Sequence, residues 1–251
     1  MLQLEHLRKV FDRGKATEVI AVNDVSLTLE AGSYTVLIGA NGSGKSTLLN
    51  LIAGSMMADR GRITLGERAI HRLPDYRRTP WIARVFQNPL LGTAASLSIL
   101  DNFRMAALRG TRKSLKLGTG AAFRELVSGR IATLGMGLEN KLNQPMGTLS
   151  GGQRQALTLL MTIMSGVDIL LLDEPTAALD PRSAREILEI ADRIIKEHRL
   201  TALLVTHNIH EALRYGDRLV QMESGRIIRD YRSRDKARLD HAEVISWFDY
   251  Y

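Results

Sequence analysis

The chain has no cysteine and no apolar run that suits a bilayer span, and residues 1–6 lack the apolar region and cleavage site that would predict a signal peptide. The absence of cysteine excludes disulfides, thiolate metal sites and cysteine nucleophiles, and it fits a reducing compartment. The longest apolar stretch, 156–172, is short for a span, contains Asp168 and is interrupted by Ser165-Gly166. A buried helix followed by a buried strand explains this stretch better. We therefore expect a chain that does not cross a membrane by itself.

Aromatic residues are also scarce, at 5% of the 251 residues, while arginine and lysine give a net charge of +7. The positive charge has two interpretations. One is a surface for nucleic acid or anionic lipid, and the other is a solvated surface that also attracts a small anionic ligand. The arginine clusters lack the regularly interleaved aromatic residues that a base-stacking platform needs. This favours the solvated surface, and we do not expect a nucleic-acid partner.

Residues 39–46 read Gly-Ala-Asn-Gly-Ser-Gly-Lys-Ser, a complete phosphate-binding loop. Its glycines let consecutive backbone N–H groups face phosphate oxygens, and Lys45 can reach the β- and γ-phosphates. The context fits, because 33–38 predicts a buried strand and 46–53 predicts a helix that Gly54 ends. We predict a nucleoside-triphosphate site here. The expected contacts are Gly39, Asn41, Gly42, Ser43, Gly44, Lys45, Ser46 and Thr47.

Two adjacent carboxylates, Asp173 and Glu174, follow the apolar strand 169–172. A buried strand brings Asp173 to the carboxyl edge of the sheet, where it can hold Mg²⁺ together with Ser46. Glu174 can polarise a water for in-line attack on the γ-phosphate. The ordinary alternative is a solvated loop or helix cap, and the phosphate loop in the same chain weakens it.

Ser150-Gly151-Gly152 precedes an apolar helix and offers a second anion site at a helix N-terminus. Taken alone, these residues could also form an ordinary capping turn. Two phosphate sites in one chain, separated by a helical segment, favour an arrangement in which they meet across a dimer.

The elements predict an α/β fold with a P-loop NTPase core, a mostly parallel sheet, an N-terminal antiparallel β subdomain and a helical insertion. The antiparallel strands are 2–11 and 18–29, with a short hairpin over 61–67 and a further strand over 81–86. We treat 1–251 as one domain, with a catalytic core that includes the antiparallel subdomain (1–87 and 149–251) and a helical subdomain (88–148).

These motifs together resemble the ATP-binding-cassette (ABC) ATPases over nearly the whole chain. Residues 39–46 match the family's Walker A motif, 149–153 (Leu-Ser-Gly-Gly-Gln) its signature, and 169–174 its Walker B motif. Gln87 matches the Q-loop glutamine, 177–180 the D-loop, and His207 the switch histidine.

The resemblance implies a head-to-tail homodimer in which each ATP lies between one Walker A motif and the partner's signature. His207 would contact the γ-phosphate and orient Glu174, and Gln87 would reach Mg²⁺ or the water. Phe11 lies where the family stacks an aromatic ring on adenine, although a core Phe at a strand end would look the same. The implied catalytic set is Glu174, His207, Gln87 and Lys45; the further ATP contacts are Phe11, Ser150, Gly151, Gly152, Gln153 and Asp180; the Mg²⁺ ligands are Ser46, Gln87 and Asp173.

The resemblance also implies a peripheral subunit on the cytoplasmic face of the cell membrane that powers a separate integral membrane permease. We expect the permease to dock near 88–100, and the transporter to import an amino acid or related small solute delivered by an extracytoplasmic solute-binding protein. Alternatives are a lipid, lipoprotein or drug exporter, and a soluble ABC ATPase acting on nucleic acid. The signature argues against a P-loop kinase or GTPase. The aromatic tail 245–251 is expected to pack on the domain or on the dimer mate.

Overall fold

The computed structural model describes residues 1–111 and 118–248, so residues 112–117 and the end of the aromatic tail lie outside the described residues. The strands are β1 Leu2–Phe11, β2 Val19–Leu29, β3 Tyr34–Ile38, β4 Arg60–Leu65, β5 Arg68–Ala69, β6 Ile82–Val85, β7 Ile169–Asp173, β8 Thr201–Val205, β9 Arg218–Glu223 and β10 Arg226–Arg232. The helices are α1 Lys45–Ala53, α2 Asp75–Arg78, α3 Ile99–Ala107, α4 Ala121–Ala132, α5 Gly151–Thr162, α6 Pro181–His198, α7 Ile209–Arg214, α8 Ser233–Lys236 and α9 His241–Ser246, with a 3₁₀ turn at Met146–Thr148.

The described residues form two compact units. The first unit contains 1–78, 171–174 and the described part of 199–251, and the second contains 175–198 and the described part of 79–170. The predicted helical subdomain, 88–148, falls within the second unit. Its boundaries stay a prediction.

The first unit contains an antiparallel sheet in the order β2-β1-β4-β5. Strands β1 and β2 form where the alternating sequence predicts them, and Leu2, Leu4 and Leu7 point into the core. The predicted hairpin over 61–67 is wrong in detail, because 60–65 is a single strand that pairs with β1. The turn comes only after Leu65, where the short β5 folds back on β4.

The first unit also contains the sheet that carries the phosphate loop, in the order β10-β9-β3-β8-β7. Strand β3 runs parallel to both β8 and β9, and every residue of β3, β7 and β8 is buried. Such uninterrupted apolar strands are typical of parallel sheets covered on both faces. The mostly parallel sheet is therefore confirmed. Sequence reasoning did not predict the antiparallel hairpin β9–β10.

In the second unit α5 is the central helix, and it packs against α3, α4, α6 and β6. Nine of its residues, 154–162, are buried. Strand β6 lies beside the first residues of β7, where the N–H groups of Asp168 and Ile169 donate to the carbonyl oxygen of Trp81 at 2.8 and 2.9 Å. Among the helices of the described residues, none is long and apolar enough to cross a membrane.

Candidate functional site

The phosphate loop of the first unit can be built only with glycine at two positions. A Cβ atom at Gly39 would lie 2.2 Å from the carbonyl oxygen of Met222, and one at Gly44 would lie 2.1 Å from that of Ala21. Gly44 also has a φ of 102°, which favours glycine. The turn after β9 fixes the loop, since the N–H of Gly225 donates to the carbonyl oxygen of Ser43 at 3.0 Å. Sequence reasoning missed this support, because it comes from a distant segment.

Lys45 is the buried cation of the loop. Its Nζ donates to the carbonyl oxygens of Gly39 at 2.8 Å and Ala40 at 3.0 Å. Burial lowers the pKa of Lys45, and the carboxylates of Glu174 and Asp173 partly oppose this effect. The amine is therefore held inside the curve of the loop, near both carboxylates, as a phosphate-binding lysine requires. The other predicted loop contacts surround it, with Asn41, Gly42 and Ser46 exposed and Ser43 buried.

Glu174 and His207 lie side by side at the carboxyl ends of β7 and β8. The distance from Glu174 Oε2 to His207 Nδ1 is 3.1 Å. The Glu174 N–H donates to the carbonyl oxygen of Val205 at 3.0 Å, and Asn208 caps the helix that follows His207. Glu174 has a φ of 43°, a left-handed conformation that costs a residue with a side chain on the order of 1–3 kcal/mol. Strained residues of this kind cluster at functional sites.

Asp173 is buried at the end of β7, and Ser46 lies in the first turn of α1. No group of three or more His, Cys, Asp or Glu side chains in the described residues could hold a metal ion. Mg²⁺ in nucleotide sites usually takes one or two protein ligands, and phosphate oxygens and water supply the rest. One carboxylate and one hydroxyl therefore fit a magnesium–nucleotide complex, and not a metal held by protein alone.

The predicted signature lies in the second unit, at the start of α5. Ser150 Oγ accepts from the N–H of Gln153 at 3.2 Å, and Gln153 Oε1 accepts from the N–H of Ser150 at 3.2 Å. This capping box leaves Ser150 exposed at a helix N-terminus. A Cβ atom at Gly151 would lie 3.1 Å from Leu179, and one at Gly152 would lie 3.2 Å from Ser183. Gly151 therefore allows close packing against the D-loop, and Gly152 allows close packing against the first turn of α6.

Arg154 supports the signature from beneath, and sequence reasoning missed it. Its guanidinium donates to the carbonyl oxygens of Met146, Gly147 and Leu149 at 3.0–3.2 Å. These carbonyls belong to the turn that enters the signature. Arg154 therefore fixes the path of the chain just before Ser150.

Asp180 caps a helix in the second unit. Its Oδ1 accepts from the N–H groups of Arg182 and Ser183, both at 3.1 Å. The hydrogen bonds from Ser183, followed by that from Arg182, lower the pKa of Asp180. The Asp-Pro sequence at 180–181 is a typical helix start, which the sequence could have predicted. The role of Asp180 as a nucleotide contact stays a prediction.

Gln87 and Phe11 belong to different units. Gln87 is exposed after β6 in the second unit, whereas Lys45, Glu174 and His207 belong to the first unit. Phe11 is half-buried at the end of β1, where it pairs with Val19, and Val19 is 56% exposed. An exposed apolar surface in the unit that also carries the phosphate loop is compatible with an adenine platform. Both assignments stay predictions.

Comparison with known proteins identifies the family. The model of the ABC transporter family matches residues 22–177. The chain is 38% identical to a tyrosine transport ATP-binding protein of Clostridioides difficile, over 100% of this chain and 99% of that protein. It is 36% identical to a phosphonates import ATP-binding protein of Frankia casuarinae, over 91% of this chain and 90% of that protein.

The fold is also similar to that of a solved cassette. A dimeric ATP-binding cassette in a post-hydrolysis state, bound to ADP and Pi, superposes with a TM-score of 0.79. The two chains are 25% identical, and the match covers 92% of this chain and 98% of the other. The chain therefore belongs to the ABC transporter family, as one of its ATP-hydrolysing ATP-binding subunits.

Proposed function

We propose that two copies of this chain pair head to tail and bind two Mg²⁺–ATP molecules between them. The observation that carries the proposal is the distribution of phosphate-binding groups. The phosphate loop, Glu174 and His207 lie in the first unit, whereas the exposed, capped Ser150 lies in the second. A similar cassette has been solved as a dimer with ADP and Pi.

The residues of the first unit then divide the chemistry among them. Lys45 and the loop amides would hold the phosphates, and Ser46 and Asp173 would hold Mg²⁺, which would supply positive charge for the leaving group. Glu174 accepts a hydrogen bond from the attacking water and polarises it. His207 holds the Glu174 carboxylate and the γ-phosphate in register. Gln87 would contact Mg²⁺ or the attacking water.

The second part of the proposal is a permease-docking surface in the second unit. A cavity of about 300 Å³ is lined by Leu91, Gly92, Thr93, Ala94, Asn102, Met105, Ala106, Arg109 and Met161. Burial lowers the pKa of Arg109, and no carboxylate among the described residues opposes the effect. Leu91 and Met105 are 68% and 46% exposed. An apolar helix with one acidic side chain, supplied by a permease, would complement this surface.

We further propose that the transporter is an importer at the cytoplasmic face of the cell membrane. Relatives named as ATP-binding proteins of tyrosine transport, phosphonates import and methionine import support import of an amino acid or a similar small solute. An extracytoplasmic solute-binding protein would deliver that solute. The ATPase itself would contact the permease and not the solute.

Sedimentation of the Glu174→Gln variant, with and without Mg²⁺–ATP, tests the dimer. We expect a species of one chain mass, 27.9 kDa, without nucleotide and of twice that mass with it. A single chain mass under both conditions would rule out ATP-driven pairing.

Purification of the tagged protein from membranes of its source tests the proposed permease-docking surface. We expect an integral membrane protein to co-purify with the unsubstituted chain. We expect the same protein not to co-purify with the Arg109→Glu variant.

A further inference from the structure

Gln155 is a buried amide that the assigned roles do not use. It lies on α5, two residues after the signature, and its side chain is fully buried. Nε2 donates to the carbonyl oxygen of Phe86 at 3.0 Å and to that of Pro175 at 3.0 Å. Oε1 has no hydrogen-bond partner. A buried amide that uses both of its donors on backbone carbonyls is a specific arrangement, because a buried polar group costs free energy unless it is paired.

The two carbonyls belong to residues adjacent to proposed active-site residues. Phe86 directly precedes Gln87, and Pro175 directly follows Glu174. Gln155 therefore ties the start of the Q-loop, the residue after the Walker B glutamate and the signature helix to one side chain. Each of these three segments carries a residue that the proposed function uses.

The backbone of Glu174 needs such support. Its φ of 43° is strained, and a strained residue persists only where its surroundings fix it. The N–H of Glu174 itself donates a hydrogen bond to the carbonyl oxygen of Val205. The carbonyl oxygen of the next residue, Pro175, accepts a hydrogen bond from Gln155 Nε2. Loss of the second bond would free the backbone to relax and would move the carboxylate.

We propose that Gln155 is a positioning residue for hydrolysis, which fixes the backbone at Phe86 and Pro175 and thereby the adjacent residues Gln87 and Glu174. This inference rests on the proposed roles of Glu174 and Gln87. Gln155 does not touch the nucleotide, and its removal changes the turnover number and not the affinity for ATP.

The test compares the Gln155→Met variant with the unsubstituted chain. Methionine keeps the length of the side chain and removes both donors. We expect the kcat for ATP hydrolysis to fall roughly 10- to 100-fold, because small displacements of catalytic groups have effects of this size. We expect the Kd for ATP to change by less than about twofold, since the groups that bind phosphate are untouched.

Thr162→Val is the matched control on the same helix. Thr162 is buried, and its hydroxyl donates to the carbonyl oxygen of Leu159 within α5 at 2.6 Å. This control also loses a buried hydrogen bond, but one that holds neither Phe86 nor Pro175. We expect its kcat to stay within about twofold of the unsubstituted value. An equal loss of kcat in both variants would overturn the proposal, because it would show a general effect of loosening α5.

Gln155→Glu separates hydrogen bonding from packing. A charged carboxylate cannot donate to either carbonyl, whereas a protonated one can donate to one of them. Burial beside carbonyl oxygens raises the pKa of a carboxyl group. The kcat of this variant, divided by that of the unsubstituted chain at the same pH, should therefore rise as the pH falls from about 8 to about 6. A ratio that stays constant would overturn the donor role, including in the event that Gln155→Met does not fold.

Glu174→Gln is measured beside these variants to separate the two levels of the account. Loss of hydrolysis in Glu174→Gln together with normal kcat in Gln155→Met would sink the positioning role alone. Normal hydrolysis in Glu174→Gln would sink the proposed function and the positioning role with it.

Discussion

Glu174 Oε2 and His207 Nδ1 lie 3.1 Å apart, just after the carboxyl ends of two neighbouring strands, β7 and β8. The Glu174 side chain is 17% exposed, while that of His207 is 62% exposed. The carboxylate is thus shielded and held on one side, and the imidazole presents its other edge to solvent. This relationship suits a base that must be fixed and a partner that must reach a phosphate.

Glu174→Gln should lower ATP hydrolysis by about a hundredfold or more, because general-base assistance is worth this much. ATP binding should persist, since Lys45 and the loop amides remain. Steady-state hydrolysis and equilibrium nucleotide binding measure the two effects. Glu186→Gln, at an exposed glutamate that pairs with Arg182, is the control and should change neither. Normal turnover by Glu174→Gln would refute the assignment of this residue.

His207→Ala should lower kcat roughly 100-fold while the affinity for ATP changes little. The variant leaves Glu174 without its neighbour and removes the proposed γ-phosphate contact. His210→Ala is a close control, because His210 is exposed and stacks on His241 at a ring distance of 4.1 Å. Equal losses in the two variants would show that the region, and not His207 itself, is sensitive.

Ser150→Ala should spare ATP binding to the isolated chain and impair turnover, because Ser150 is proposed to act on the ATP held by the partner. The variant also loses a helix cap worth about 1 kcal/mol. Ser98→Ala supplies the matched cap loss, since Ser98 caps α3 through the N–H of Asp101. A collapse of ATP affinity in isolated Ser150→Ala would contradict the assignment across the dimer.

Lys236 predicts a specific dependence of stability on pH. Its Nζ donates to the carbonyl oxygens of Tyr215 and Gly216 after α7, and burial lowers its pKa from 10.5 to about 8. Between these two values the unfolded chain binds more protons at this site than the folded chain. The contribution of Lys236 to the free energy of unfolding therefore rises with pH in that window.

Denaturant unfolding of the unsubstituted chain and of Lys236→Met measures this contribution. We expect the stability difference between them to shift in favour of the unsubstituted chain as the pH rises from below 8 towards 10.5. The exposed Lys196, which pairs with Asp192, supplies the control variant Lys196→Met. A pH-independent difference for Lys236→Met would contradict the lowered pKa.

The sequence predicts much of the fold because several signals are local. The apolar run of β7 and the alternation in β1 both depend on neighbouring residues, and both strands form as predicted. The hairpin β9–β10 escaped prediction because its signal is mixed. Arg218 and Gln221 are buried in β9, and β10 alternates exposed and half-buried residues in an arginine-rich sequence. The local pattern therefore resembles a charged surface segment.

The described part of the aromatic tail packs through Trp247. Trp247 stacks on Tyr231 of β10 with ring centroids 5.4 Å apart, and the Arg229 guanidinium lies 4.8 Å from the Trp247 ring. The expectation that the tail packs on the domain is confirmed for Trp247. Residues 249–251 lie outside the described residues.

The candidate site was predictable in its motifs but not in its supports. The motifs name Lys45, Glu174 and Ser150 because each has a local sequence pattern. Arg154 donates to carbonyl oxygens of the turn that leads into the signature, including that of Leu149. Gln155 donates to the carbonyl oxygen of Phe86, which lies far from the signature in sequence. The sequence spacing of these residues does not predict such contacts, since they depend on how the chain folds.

A cysteine cross-link between two copies tests the head-to-tail arrangement most directly, because the chain has no cysteine of its own. One preparation carries Asn41→Cys in the phosphate loop, and another carries Thr148→Cys, two residues before Ser150, both in the Glu174→Gln background. The two preparations are mixed with Mg²⁺–ATP and a short bis-maleimide, and we predict a cross-linked dimer in this mixture. We predict no cross-linked dimer in either preparation alone. We also predict none in a mixture in which Ser98→Cys replaces Thr148→Cys. The absence of a cross-link in the ATP-loaded mixture, or equal cross-linking in the single preparations, would contradict the account.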